Sequence, residues 1–196
     1  MSTTTSTRPY NSPLRKAEAA ATRARILDAA AALFEEEGYA LTTMKQIADR
    51  AGVSLQTVHL AGPKAAILLA AYDRRIQQGG LPRRDPAHAP LERLCVAAGT
   101  SIAVNSRSAK LWYAIEAASH SDPLVKEAFR AMVEGHSGAV RDVVSALDVD
   151  DVDAAMAEVH FLLAATTYLH FVEQHGWSHE RFRGWLERRL FATVGR

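Results

Sequence analysis

Met44-Lys-Gln-Ile-Ala-Asp-Arg-Ala-Gly-Val-Ser-Leu-Gln-Thr-Val-His59 reads as a short helix, a turn at Gly52 and a second short helix, the layout of a DNA-reading helix-turn-helix. Ile47, Ala48 and Ala51 recur at helical spacing and face inward. Gly52 supplies the permissive turn, Val53 plugs the junction, and Ser54 is placed to cap the next helix by accepting from its free amides. Left outward on that second helix are Leu55, Gln56, Thr57, His59 and Leu60, side chains suited to base edges and phosphates in a major groove. Thr43 and Gln46, three residues apart, carry the capping-box signature of the first helix of the pair.

Upstream, Ile26, Leu27, Ala30, Leu33 and Phe34 form one apolar stripe, which predicts a supporting helix over about residues 22–37, ended by Gly38 in the left-handed position. Downstream, a Gly62-Pro63 break precedes a connecting helix over about residues 63–78, with Ile67, Leu68, Ala71 and Tyr72 inward and Gly79-Gly80 as its stop. The next segment, residues 81–90, holds three prolines and no periodicity, so it marks a boundary. Beyond it everything reads helical. Leu91, Leu94, Cys95, Ala98 and Ile102 make one stripe, and Leu111, Trp112, Ile115 and Ser119 the next. Asp122-Pro123 opens a long helix carrying Phe129, Met132, Val133, His136, Val140 and Val144. The acidic run 148–153 starts another with Met156, Val159, His160, Leu163 and Phe171, broken at Gly176. Ser178 caps a last helix with Phe182, Trp185, Leu186 and Leu190. The expected fold is all-α with about nine helices: a flexible basic arm (1–21), a helix-turn-helix domain with connecting helix (22–80), and a helical body (81–196).

At 196 residues with 48% hydrophobic content, the chain can bury a substantial core. No segment approaches the roughly 18 uninterrupted apolar residues of a membrane span, and residues 1–12 lack the apolar core of a signal peptide. The single Cys95 fits a reducing compartment. A cytoplasmic protein without a membrane partner is the expectation. The formal charge of +1 is uneven. Residues 1–80 hold ten Lys or Arg against seven Asp or Glu, whereas residues 81–196 hold thirteen against fifteen. Arg8, Arg15, Lys16, Arg23 and Arg25 carry most of the basic excess and suit an arm lying along phosphates.

The motif TTMKQIADRAGVSLQTV, the lysine just after it at Lys64 and the all-helical body resemble the TetR family of transcriptional repressors. The resemblance implies operator DNA bound by a homodimer, dimerisation through the last two body helices (151–173 and 178–194), and a body cavity for a small-molecule effector that releases DNA. By position it implies DNA contacts from Thr43, Lys45, Ser54, Leu55, Gln56, Thr57, His59 and Leu60, with Lys64 pairing with a phosphate. The family usually reads Thr-Val-Tyr-x-x-Phe-x-x-Lys; here the chain runs Thr57-Val-His-Leu-Ala-Gly-Pro-Lys64, one residue shorter and without either aromatic. His59 stands where the family has a phosphate-contacting tyrosine, and Gly62-Pro63 stands in place of the phenylalanine anchor.

For the effector, the candidates are Trp112, Tyr113, Phe129, Met132, His136, His160, Tyr168 and Phe171, aromatic or imidazole groups on apolar stripes that suit a hydrophobic molecule with one or two hydrogen-bonding groups. Each is also readable as ordinary core packing. No cofactor and no metal is expected. His175 and His179 have ligand spacing but lie where a helix ends, and Cys95 has no basic neighbour on its helix face. No phosphate-cradling glycine loop or nucleophile elbow occurs, so enzymatic activity is not expected. Two alternatives remain: an effector-independent DNA-binding protein, and an all-helical carrier or enzyme with a structural head.

Overall fold

The computed structural model describes residues 13–78 and 88–195. Arg8, the Gly79-Gly80 stop and most of the proline-rich boundary lie outside the described residues. The rest is helical: α1 (Pro13–Leu41), α2 (Met44–Ala51), α3 (Leu55–Ala61), α4 (Lys64–Gln77), α5 (Pro90–Ser119), α6 (Pro123–Val144), α7 (Val152–Leu163), α8 (Ala165–Tyr168), which runs on as a π-helical turn over Leu169–Gln174, and α9 (His179–Thr193). No strand occurs among the described residues. The all-α expectation holds.

Helices α1 to α4 form the head. Ile26, Phe34, Ile47, Val58, Ile67 and Leu68 are almost wholly buried in one cluster, each side chain contributing about 1.5–3 kcal/mol by leaving water. The short helices are held by their ends. Thr43 accepts from the Gln46 amide while the Gln46 side chain accepts from Thr43 N at 2.7 Å, and Gly52 closes α2 at φ 65°, where a side chain would be strained. Ser54 accepts from Thr57 N at 3.1 Å to start α3, and the Arg23 guanidinium donates to the Ala61 carbonyl at 3.0 Å to finish it.

Three boundaries differ from the sequence reading. First, α1 begins at Pro13, nine residues before the expected start. Residues 15–21 are exposed, so no apolar stripe betrays them, but proline at the first helical position and an alanine-rich run favour the helix locally. Arg15, Lys16, Arg23 and Arg25 therefore sit on a helix and not on a flexible arm. Second, the two stripes at 91–102 and 111–119 belong to one 30-residue helix, α5, about 45 Å long. Its lower part (Leu94, Ala98, Ile102, Ala109) enters the body cluster and its upper part (Leu111, Ala114, Ile115, Ala118) the head cluster. The stripe changes face because the helix changes partners.

Third, the helix expected to run from 152 past Phe171 breaks at Ala164, which is extended at ψ 150°, and its halves are bent by 49°. No Pro or Gly marks the place. Ser101 and Asn105 of α5 donate to the Leu163 carbonyl at 2.8 and 3.3 Å, and Thr167 donates to that of Phe161. Side chains distant in sequence thus satisfy carbonyls that the break releases. No single helix among the described residues is long and apolar enough to cross a membrane.

Gly62 joins α3 to α4 at φ 131°, a backbone region closed to L side chains, although a Cβ there would meet Ala66 only at ordinary contact distance, 3.5 Å. Gly62→Ala is expected to cost on the order of 1–3 kcal/mol through backbone strain, read as a lowered urea midpoint with unchanged m-value.

Candidate nucleic-acid interface and ligand cavity

On the head, Leu55, Gln56, His59 and Leu60 are exposed, Leu60 at 82%. An apolar side chain that open to water on a short helix has no role in the core; it is available to a partner surface, such as a thymine methyl. Val58 alone of α3 is fully buried and anchors it. Other candidates are already engaged. The Thr57 and Ser54 hydroxyls share a hydrogen bond of 2.8 Å, and Lys45 pairs with Asp49 at 2.8 Å across exposed surface, a pair worth little and easily exchanged for a phosphate. The Thr43 hydroxyl donates to Gln46.

Lys64 does something the sequence did not show. Its ammonium donates to the Tyr39 carbonyl at 2.7 Å and the Thr42 carbonyl at 2.9 Å, and lies 4.2 Å from the centre of the Tyr39 ring. It closes the carbonyl end of α1 just before the helix-turn-helix, leaving one of three N–H donors for a phosphate. Tyr39 in turn donates its hydroxyl to Asp122 at 2.7 Å, and the other oxygen of Asp122 accepts from Leu124 N and Val125 N at the start of α6. A chain of hydrogen bonds runs from the body helix α6 through Asp122 and Tyr39 to the first residue of α4. The Tyr39 hydrogen bond holds the Asp122 carboxyl below the usual carboxylate range, and burial with that same partner pushes the Tyr39 phenol far up.

Within the body lies a cavity of about 710 Å³ walled by α4, α5, α6, α7 and the break at Ala164, a size common for small-molecule sites. Val96, Val104, Val140, Val159 and Leu163 make its lining largely apolar. Its polar groups include Thr100, Ser101 and Asn105 on α5, Arg93 and His88 near the α5 start, Asp142 on α6, and His136 with His160. These two imidazoles stack at 4.9 Å, 3° from parallel, and His160 Nε2 is buried without a hydrogen-bond partner. At the head end Tyr72 and Trp112 meet at 6.0 Å. Burial pushes the Tyr72 phenol up to about 12, so it stays neutral.

The eight effector candidates divide. Trp112, His136 and His160 line the cavity. Tyr113 is 61% exposed on another face of α5. Phe129 and Met132 pack on the head core, Phe129 at 5.4 Å from Trp112. Tyr168 is buried with its hydroxyl hydrogen-bonded to His179 Nε2 at 2.8 Å, which also gives His179 a structural partner. Phe171 sits in an aromatic cluster with Trp177 and Trp185 at 4.6 and 4.3 Å. Sequence reasoning missed Ser101 and Asn105, although they fall three and seven residues after Ala98, on its stripe; a polar residue on an apolar stripe was the available signal.

A helix-turn-helix head and a cavity-bearing helical body are thus joined by the connecting helix α4. Residues 26–71 match the family described as bacterial regulatory proteins, tetR family; that match covers the head alone, and the whole chain shares the fold of the solved regulators that follow. A protein of Saccharomonospora viridis solved with choline shares 18% identity over 90% of this chain and 97% of its own, with a TM-score of 0.72. FadR of Bacillus subtilis, a transcriptional regulator in complex with stearoyl-CoA, gives 16% over 88% and 97%, TM-score 0.67. MexZ, a repressor of Pseudomonas aeruginosa, gives 23% over 89% and 93%, TM-score 0.64. No curated protein is similar enough in sequence to match this chain.

Asp122 is lowered in the folded chain, so its tie contributes stability above the unfolded carboxyl value, about pH 4, and loses it as pH falls through the lowered folded value. Tyr39→Phe is expected to cost about 1–2 kcal/mol at pH 7. Denaturant unfolding across pH should show the gap between variant and wild type closing below pH 4.

Proposed function

We propose that the chain is a ligand-responsive repressor. It binds a near-palindromic operator as a homodimer and is released by a small hydrophobic or aromatic effector. The observation that carries this reading is the position of α4: Tyr72 and Ile76 form part of the cavity wall, while its first residue, Lys64, follows directly on the recognition helix. An occupant pressing on Tyr72 acts on the helix that carries α3. It also acts on α6, which supplies His136 and Val140 to the cavity and whose cap, Asp122, is tied to the head through Tyr39.

Operator contacts are assigned to Thr43, Lys45, Ser54, Leu55, Gln56, Thr57, His59 and Leu60, with the free donor of Lys64 toward a phosphate. One such head offers too few contacts for specificity. Two heads about 34 Å apart meet successive major-groove faces of a near-palindrome. The partner surface is assigned to 151–173 and 178–194, supported by the exposed apolar side chains Val152 and Phe161 on α7, Phe161 at 66% also bordering the cavity. The effector is assigned to the cavity, where the unpartnered His160 Nε2 favours a ligand bearing a hydrogen-bonding group. Among structural neighbours, the choline and stearoyl-CoA complexes support a binding role for the body.

The mechanism is a population shift between head spacings. A 100-fold preference of effector for the released state, about 2.7 kcal/mol, suffices, and by reciprocity operator weakens effector binding by the same factor. Footprinting on DNA from the chain's own locus tests the reading: a specific near-palindromic footprint should be lost in Gln56→Ala/Thr57→Ala. Sequence-blind binding that vanishes with salt overturns it. Phe161→Glu should shift sedimentation from dimer to monomer at micromolar concentration.

A further inference from the structure

Adjoining the large cavity at Asn105, a second cleft of about 260 Å³ opens between head and body. Its walls are Glu35 of α1, Arg75 and Gln78 of α4, residues 105–110 of α5 and Glu173 of the π-helical turn. The cations Arg75, Arg107 and Lys110 outnumber the carboxylates Glu35 and Glu173. Lys110 and Glu173 pair with each other at 2.8 Å and are about half exposed, so they belong to the outer rim. Arg75 reaches Glu35 only at 3.6 Å, and burial holds the Glu35 carboxyl above its ordinary value despite that neighbour. Arg107 has neither carboxylate.

The decisive detail is which atoms go unused. Arg107 Nε and Nη2 are both shut off from solvent without a hydrogen-bond partner, and so is Arg75 Nε. Nε and Nη2 form the side-on edge of a guanidinium, two parallel N–H donors spaced to grip two oxygens of one carboxylate or phosphate group. Burying donors of a permanent cation without acceptors is unfavourable, and a fold retains that cost only where something offsets it. Water can satisfy a donor but does not neutralise the charge.

The geometry points to a second ligand site in this cleft, taking an oxyanion, a phosphate or carboxylate group, held by the guanidinium of Arg107, whose covered Nε–Nη2 edge turns outward to grip it, beside Arg75. Arg75 belongs to the head helix α4 and Arg107 to α5, so the bound anion bridges the helix that follows the reading head to the spine of the body. An occupant there joins α4 to α5 at a place distinct from the apolar part of the cavity, and the site stands independently of what that cavity binds.

Thermal unfolding of the full chain, at constant ionic strength with sodium chloride replaced stepwise by sodium phosphate or sodium acetate, tests this. Saturable stabilisation is expected from at least one oxyanion. At ten times its dissociation constant the folded-to-unfolded ratio rises about 11-fold. Phosphate acting alone identifies a phosphate group as the ligand chemistry, and acetate acting alone a carboxylate. Arg107→Gln should abolish the effect, and Arg107→Lys, which keeps the charge but not the fork, should weaken it at least tenfold in concentration. Equal effects of chloride and oxyanions, or an undiminished effect in Arg107→Gln, overturn the site. Should Arg107→Gln not fold, isothermal titration of the wild-type chain with phosphate and acetate decides, and absence of saturable heat from both overturns it.

Discussion

The protein depends on one junction, where Lys64, Tyr39 and Asp122 tie three chain ends together. The carbonyl end of α1, the amino end of α4 and the amino end of α6 all have backbone groups without intrahelical partners. Lys64 supplies donors to the first, and Asp122 supplies an acceptor to the last. The Tyr39 hydroxyl joins the two devices into one continuous link. Without it the head would keep its own core, but its orientation on the body would rest on apolar packing, which is strong yet non-directional. A hydrogen-bond chain adds direction, and direction is what a reader of groove spacing needs.

The long helix α5 gives that junction its setting. A single rod enters both cores, and packed against it are α4 and α6. Both line the apolar cavity and both end at the junction. The polar residues midway along α5 serve two purposes. Ser101 and Asn105 face the cavity and stabilise the break in α7, while residues 105–108 turn to the cleft that holds Arg107. A helix that passes from one core to another must cross a region where neither covers it fully, and there polar side chains are tolerated at low cost.

The helix-turn-helix was legible because its signals are local. Thr43 with Gln46, Gly52 and Ser54 act over three or four residues, and the structure shows their caps where the sequence placed them. The Asp122 cap and Pro123 start of α6 are legible for the same reason. The exposed first turns of α1 were not, since the reading keyed on an apolar stripe that a solvated alanine-rich helix does not have. Nor was the break at Ala164, where the freed Leu163 carbonyl is satisfied by Ser101 and Asn105 some sixty residues earlier. Of the effector candidates, aromatic character gave no means of separating Trp112 on the cavity wall from Phe171 in its aromatic cluster or Tyr113 in solvent, because stripes define faces and not which neighbour covers each face.

By itself the sequence determined the all-helical class, the reading motif with its outward residues, and the family of the head, because caps, turn glycines and helical periodicity are properties of neighbours in the chain. Only the tertiary structure decided that Lys64 binds the Tyr39 and Thr42 carbonyls at the end of α1, that Tyr39 reaches Asp122 across 83 residues, that α4 walls a cavity, and that the donors of Arg107 are left without acceptors. Each of these depends on where distant segments meet, and hydrogen bonds and cavities arise from distances of a few ångströms that no local pattern encodes.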